Sequence, residues 1–354
     1  MIFVNARFLT QDITGVQRFA EELSLSLNTM RDDVVFLSPR NILRQDVAKQ
    51  LNVKIIGKNS GHIWEQYDLP NYLKRNGSPL LINLCSTAPI FYKNKIVTHH
   101  DVTYKRYPQS YSKKFRLLYN TLVPLMIKNS HKLITVSEFS KLELGKHYHI
   151  DPHKIAVVYN AVSGKFNGNS KVSAEDSRDA YLLAVSSPNY HKNFHSLIEA
   201  FSQLDNKDIT LKVVGGGSGS FKKQSYLQDL DESRIKFVGR VSDDDLLALY
   251  RNATAFIFPS LYEGFGIPPL EAQACGCPVI SSNAASMPEV LGDSATFFSP
   301  LNIKDMGEKI TSVISDPDLR SSLIQKGYEN IERFSWNKSA EQLSHIIDGV
   351  LVKR

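Results

Sequence analysis

The sequence is poor in the residues that mark specialised classes of protein. Cysteine occurs three times in 354 residues, at Cys85, Cys275 and Cys277. So sparse and odd a count builds no disulfide framework and fits a reducing compartment. Cys275-Gly276-Cys277 has no second Cys/His pair at a matching spacing, and small buried side chains at a helix end account for both thiols better than a zinc site does. No apolar run approaches the ~20 residues of a membrane-spanning helix. The opening MIFVNARFL lacks a basic segment followed by a longer apolar one, so it reads as a first strand over 2–8 and not as a secretory leader. Internal repeats and long low-complexity tracts are also missing. A cytoplasmic protein, at most peripheral on the inner face of a membrane, is the expectation.

What is present is an ordinary globular composition, 42% hydrophobic and 22% charged. The length exceeds what one core serves, which predicts two domains. The net charge of +6 conceals an asymmetry. Residues 1–174 hold 24 Lys+Arg against 12 Asp+Glu, and residues 175–354 hold 18 against 24. A basic front half and an acidic back half predict different partners for the two.

Hydrophobic patterning gives an α/β alternation that runs twice. The first strand leads through Thr14-Gly15-Val16 into the amphipathic run FAEELSLSL, and apolar runs at 34–37, 80–84, 96–98, 133–136 and 155–159 read as further buried parallel strands. The polar stretch 163–178 reads as a linker. After it come strands at 181–186, 210–214, 235–238, 253–258 and 278–281, with helices at 194–204, 243–251 and 267–275, and a last amphipathic helix from about Trp336. The expected division is 1–163, 164–335 and a terminal helix 336–354. Two doubly wound, Rossmann-like domains facing a central cleft would bind ligands at the carboxyl ends of their strands.

The segment ATAFIFPSLYEGFGIPPLEAQACGCPVISS at 253–282 concentrates the chemistry. Pro268 and Pro269 suit the first turn of a helix, and Gly276 suits its end. Gly264-Phe265-Gly266 then lies where the backbone enters the helix N-terminus, a place that attracts an anion such as a diphosphate. Glu263 and Glu271 flank it. Carboxylates repel phosphate but accept hydrogen bonds from vicinal diols, and a ribose or a hexose offers one. Asp243-Asp244-Asp245 follows Ser242 at a helix start, so helix capping explains it better than a metal site. No metal is expected. GGGSGS at 215–220 lacks the Lys-Ser/Thr of a P-loop and reads as a turn.

This segment, with Glu263 and Glu271 separated by seven residues, resembles the signature of the retaining glycosyltransferases of family 4, which have the GT-B fold. The resemblance extends through Gly15, His100-Asp101, TVSEFSKLEL at 135–144, VVYNAV at 157–162, HKNFHSLIEAF at 191–201, FVGRVSDDDLLALYRNA at 237–253 and FSWNKSAEQL near the end. It implies that Glu271 binds ribose hydroxyls and Glu263 the donor sugar. The backbone at Gly264, Phe265, Gly266 and Ile267 would hold phosphates and sugar, and Lys192 would neutralise the leaving diphosphate. His100 would face the transferred sugar, Gly15 would leave room for the diphosphate, and Val238 to Arg240 would line the base pocket. His100, Lys192 and Glu263 are the implied catalytic set. One departure stands out: the Arg that the family carries shortly before the equivalent of Lys192 is missing from Ser186-Ser187-Pro188-Asn189-Tyr190. Arg18 and Arg240 are candidates to replace it.

The resemblance implies a hexose, of mannose, rhamnose or glucose type, moved from a nucleotide-diphosphate sugar to a saccharide acceptor of a bacterial O-antigen, capsule or exopolysaccharide. Residues 102–137 contain seven Lys and Arg, no Asp or Glu, and interleaved aromatics. An anionic membrane surface meeting 104–132 and a lipid-linked acceptor fit this stretch, and nucleic acid is not expected. The rival reading is a nucleotide-sugar epimerase or hydrolase on the same fold. A non-catalytic binding module conflicts with intact Glu263, Glu271 and Lys192, and an NAD-dependent oxidoreductase lacks its Gly-x-Gly-x-x-Gly.

Overall fold

A computed structural model of the protein describes residues 1–166, 180–185, 187–216 and 233–352. Most of the 163–178 linker, Ser186 and the GGGSGS stretch from residue 217 lie outside the described residues. The chain forms two compact units, Met1–Asn160 together with Ser335–Arg354, and Ala161–Phe334.

The first unit holds a seven-stranded parallel sheet: β1 (Ile2–Asn5), β2 (Val34–Ser38), β3 (Lys54–Ile55), β4 (Leu80–Asn83), β5 (Lys95–Thr98), β6 (Lys132–Thr135) and β7 (Ile155–Val157), in the spatial order β3-β2-β1-β4-β5-β6-β7. The central strands are buried along their whole length, as parallel strands covered by helices on both faces must be. One face packs Phe3, Leu37, Leu81, Trp64, Leu69 and Leu73. The Gly15–Met30 helix buries Phe19, Ala20, Leu23 and Leu27, and the terminal Trp336–Leu351 helix packs against it. There Arg31 reaches Asp348 (2.7 Å) and Ser344 (2.8 Å), and Trp336 meets Phe19 edge to face.

The second unit holds a six-stranded parallel sheet: β8 (Tyr181–Val185), β9 (Thr210–Val214), β10 (Ile235–Gly239), β11 (Ala255–Phe258), β12 (Val279–Ser282) and β13 (Ala295–Phe298), in the order β10-β9-β8-β11-β12-β13. Its core joins strand residues such as Leu182, Leu211 and Ile257 to the Phe194–Ser202 and Ile303–Ser315 helices.

The sequence pattern misses two things here. The first strand stops at Asn5, and Arg7–Thr10 forms a 3-10 turn, because Asn5 and Arg7 engage a buried polar network that an extended strand would not reach. The sheets also gain edge strands. β3 is two exposed residues, too short for periodicity to register, and β13 is only half buried.

Candidate functional site

In each sheet the strand order reverses between two central neighbours, β1 and β4 in the first, β8 and β11 in the second. Connections leaving the carboxyl ends of such neighbours diverge to opposite faces and leave a crevice. Lys192 follows β8, and Glu263 follows β11. The topology therefore brings together two residues 71 apart in sequence: Lys192 Nζ lies 2.6 Å from Glu263 Oε1 in a largely buried ion pair. The Ser260 hydroxyl donates to the same oxygen at 2.8 Å. Asn193, in left-handed conformation, fixes the β8 connection by donating to the carbonyls of Pro259 (3.1 Å) and Pro300 (2.8 Å). The neighbouring His191 imidazole is pushed down to about 4 by burial and by the Lys192 ammonium, so it is neutral near pH 7.

The loop after β11 turns into the Ile267–Ala274 helix at Gly266, which has φ of +90°. A Cβ there would stand 2.4 Å from Met287 Cε, so only glycine fits without displacement. Pro268 and Pro269 occupy the first turn, and Gly276 follows the C-terminus at φ +72°. The Ser286 hydroxyl bridges the carbonyls of Glu263 (3.0 Å) and Phe265 (3.1 Å), and the buried Phe265 ring meets Phe334 edge to face. With its carbonyls tied inward, the turn leads into a helix start of the kind that favours an anion, although Pro268 and Pro269 carry no N–H and leave the main-chain donors to residues 264–267. Glu271 is buried in the next turn and accepts a hydrogen bond from the Tyr250 hydroxyl at 3.2 Å. Burial, then the Glu271 carboxylate, hold the Tyr250 phenol well above its ordinary value, so it stays a donor.

Val238 and Arg240 flank Gly239 at the carboxyl end of β10, both exposed, on the opposite edge strand of the same sheet. Gly239 (φ +81°) lends its carbonyl to Gly215 N–H at 2.8 Å, which leaves the Val238 side chain outward. Asp243-Asp244-Asp245 caps its helix: Ser242 Oγ accepts from the Asp245 N–H at 3.1 Å, and Asp243 pairs with Lys165. Among the described residues no group of three or more His, Cys, Asp or Glu is placed to hold a metal ion.

In the first unit, Gly15 is the exposed first residue of its helix, and Arg18 lies in the same turn. His100, at the end of β5, is buried, and its ring meets Phe19 of that helix edge to face at 5.0 Å. Its Nε2 lies 3.1 Å from the Leu84 carbonyl, which can only accept, so the proton sits on Nε2 and Nδ1 is the lone-pair nitrogen. Burial pushes the imidazole down to about 4. Asp101 Oδ1 accepts from the Thr103 N–H (2.8 Å) and hydroxyl (2.5 Å) at the start of the next helical turn.

Sequence reasoning missed a network at the reversal point of the first sheet. Arg7 Nε pairs with Glu65 Oε1 at 3.2 Å, both almost wholly buried, and Asn5, Asn83 and Thr87 complete it. Burial opposes the charge on Glu65, but Arg7, His62 and Thr87 outweigh it and the carboxyl is held below its ordinary range. The available signal was charge inside apolar runs, Arg7 in FVNARFL and Glu65 in HIWEQY.

The basic stretch resolves into the Lys113–Lys128 helix and the segment before it. Arg106 is tied to Glu143 at 2.6 Å, and Lys105 sits 4.0 Å over the Tyr148 ring. The aromatics pack on each other, Phe115 on Tyr119 at 4.0 Å between centroids. The outer face keeps Lys113, Lys114 and Lys128 exposed beside Leu117 (72% exposed) and Leu125, while Val123 and Met126 are buried. No helix among the described residues is long and apolar enough to cross a membrane.

Comparison with known proteins adds the following. The profile described as "Glycosyltransferase Family 4" matches residues 13–164, and the one described as "Glycosyl transferases group 1" matches residues 166–330. The O-antigen chain mannosyltransferase RfbU of Salmonella typhimurium is 30% identical over 76% of this chain and 75% of its own length. The O-antigen chain mannosyltransferase B of Escherichia coli is 29% identical over 72% and 71%. The crystal structure of Anabaena Alr3699/HepE in complex with UDP-glucose superposes with a TM-score of 0.76 over 98% of this chain and 99% of that one, at 16% identity, a likeness of fold. With two matched profiles and a relative of this extent, the chain belongs to glycosyltransferase family 4 and is a glycosyltransferase of the GT-B fold.

Proposed function

We propose that the protein is a retaining enzyme that moves a hexose, of mannose, rhamnose or glucose type, from a nucleotide-diphosphate sugar to a lipid-linked saccharide acceptor of a bacterial surface glycan. The observation that carries the donor half is the constellation in the second unit: a glycine-gated helix N-terminus, a buried Glu271 oriented by Tyr250, and the Lys192–Glu263 pair. As the acceptor hydroxyl bonds to the anomeric carbon, the C1–O bond to the phosphate breaks, its electron pair leaves with the diphosphate, and an oxygen of that diphosphate takes up the hydroxyl proton. Lys192 and the N–H groups of 264–267 oppose that growing charge. Glu271 accepts from the ribose diol. Glu263 orients Lys192 and accepts from a hydroxyl of the transferred sugar. His100, neutral, accepts a hydrogen bond at Nδ1 from a hydroxyl of the transferred sugar and does not act as a base. Val238 and Arg240 serve the nucleotide base. The mannosyl class draws on the names of the O-antigen relatives.

The basic first unit receives the acceptor, and the exposed Lys113, Lys114, Lys128, Leu117 and Leu125 suit an anionic bilayer surface. Flotation with anionic vesicles at low and high salt tests that half, and no binding at low salt refutes it. A thermal-shift panel of UDP, GDP and dTDP tests the donor half. At least one should stabilise the protein, and Glu271→Ala should abolish the effect. Stabilisation by none refutes the donor site. Donor turnover that needs no acceptor favours the epimerase or hydrolase reading.

A further inference from the structure

A cavity of about 730 Å³ lies in the first unit, far in the fold from any carboxyl strand end. Its walls come from three places. His131 and Lys132 stand at the amino end of β6. His153 and Lys154 precede β7, in a 3-10 turn capped by Asp151. The third wall is one face of the Trp336–Leu351 helix, with Lys338, Glu341, His345 and Gly349 at helical spacing, while Ala340, Leu343 and Ile347 on the opposite face are buried. Gly349 leaves its part of the wall open, since a Cβ there would touch nothing within 4 Å. The size is that of a small-ligand site. Three lysines and three histidines line it against one carboxylate, Glu341.

We propose that this cavity is a second, phosphate-recognising site, separate from the nucleotide-sugar site. Three lysines supplied by separate elements raise the local concentration of an anion. The His131 ring meets Asn94 Oδ1 at 3.0 Å, and the imidazoles of His153 and His345 are the ones that can donate to phosphate oxygens. Lys132 is held by the His153 carbonyl, which ties two walls together. The ligand chemistry is a multiply charged phosphate. It has two possible sources, a free polyphosphate or the headgroup of an anionic lipid, since His131 follows shortly on the basic Lys113–Lys128 helix.

The test uses the full chain and two exposed lysines of the wall, Lys154 and Lys338. Isothermal titration with inorganic tripolyphosphate is compared in the wild type, Lys154→Gln/Lys338→Gln and Glu341→Gln, with nucleotide saturating the donor site. The double variant should weaken binding about tenfold or more, from roughly threefold or more per exposed charge. Glu341→Gln should tighten it, a change that misfolding cannot mimic. The same variants are floated with phosphatidylglycerol vesicles. Loss of tripolyphosphate binding alone assigns a free phosphate, and loss of both assigns a lipid headgroup. Unchanged affinity in the double variant, or no tripolyphosphate binding in the wild type, overturns the proposal. Nucleotide-induced stabilisation should be the same in all three proteins, so failure of the donor reading would be seen separately.

Discussion

Gly266 turns the chain into its helix in left-handed backbone hard against Met287, and Gly266→Ala tests that fit. An L-residue in left-handed backbone costs about 1–2 kcal/mol. The new Cβ would also stand 2.4 Å from Met287 Cε and 3.1 Å from Sδ, which must move. Met287 is fully buried, so the displacement has little room, and overpacking of this kind costs about 1–3 kcal/mol. The total is about 3 kcal/mol. For a unit of this size that lowers Tm by roughly 10 °C, at about 2–4 °C per kcal/mol. If the loop yields before the fold does, the loss appears instead as lost nucleotide-induced stabilisation. Met287→Leu removes the reaching end of the side chain at under ~1.5 kcal/mol. The double variant should recover the steric part and leave the backbone part, a coupling of about 1–2 kcal/mol in a double-mutant cycle. Differential scanning fluorimetry with and without nucleotide reads both quantities. A Gly266→Ala protein with wild-type Tm and wild-type nucleotide response, or a cycle with zero coupling, refutes the steric argument.

Three further predictions follow from the same geometry. Lys192→Ala should lower kcat by roughly 100- to 1000-fold, as removal of one preorganised transition-state charge does, whereas Glu263→Gln, which still accepts from Lys192 and Ser260, should lose less; equal losses in steady-state assays would show that the Glu263 charge is as necessary as Lys192 and refute the positioning role. Tyr250→Phe removes the donor on buried Glu271 and should weaken nucleotide binding by about tenfold with the fold intact, as read by titration calorimetry; unchanged affinity would remove Tyr250 as a positioning residue. The buried imidazoles of His99 (about 3), His100 (about 4) and His191 (about 4) lie below the ordinary histidine value. Between pH ~6.5 and ~4 the unfolded chain therefore takes up protons that the folded one refuses, so stability falls as pH falls through that window. His100 alone contributes about 3 kcal/mol to the loss, at ~1.4 kcal/mol per pH unit. Urea midpoints should drop on acidification and drop less in His100→Gln; an equal drop in both would contradict the neutral, buried assignment.

The two α/β alternations are legible along the chain, because buried parallel strands must be continuous apolar runs and the helices between them must show one apolar stripe. The turn into the Ile267–Ala274 helix is legible in the same way, because glycines, tandem prolines and flanking carboxylates act locally at a single helix start. Partnership between side chains came from the fold. Lys192 and Glu263 meet because the strand order reverses between β8 and β11. Arg7 and Glu65 meet beside the matching reversal of the first sheet. Tyr250 carries no sequence signal, since a tyrosine on an amphipathic helix reads as core until Glu271 is seen beneath its hydroxyl. The basic run of 102–137 reads as one patch, yet Arg106 and Lys105 are engaged by Glu143 and the Tyr148 ring while Lys113, Lys114 and Lys128 stay exposed. Periodicity reports which face of an element is buried. Which charges meet across elements depends on strand order, and strand order is set by packing between segments remote in the chain.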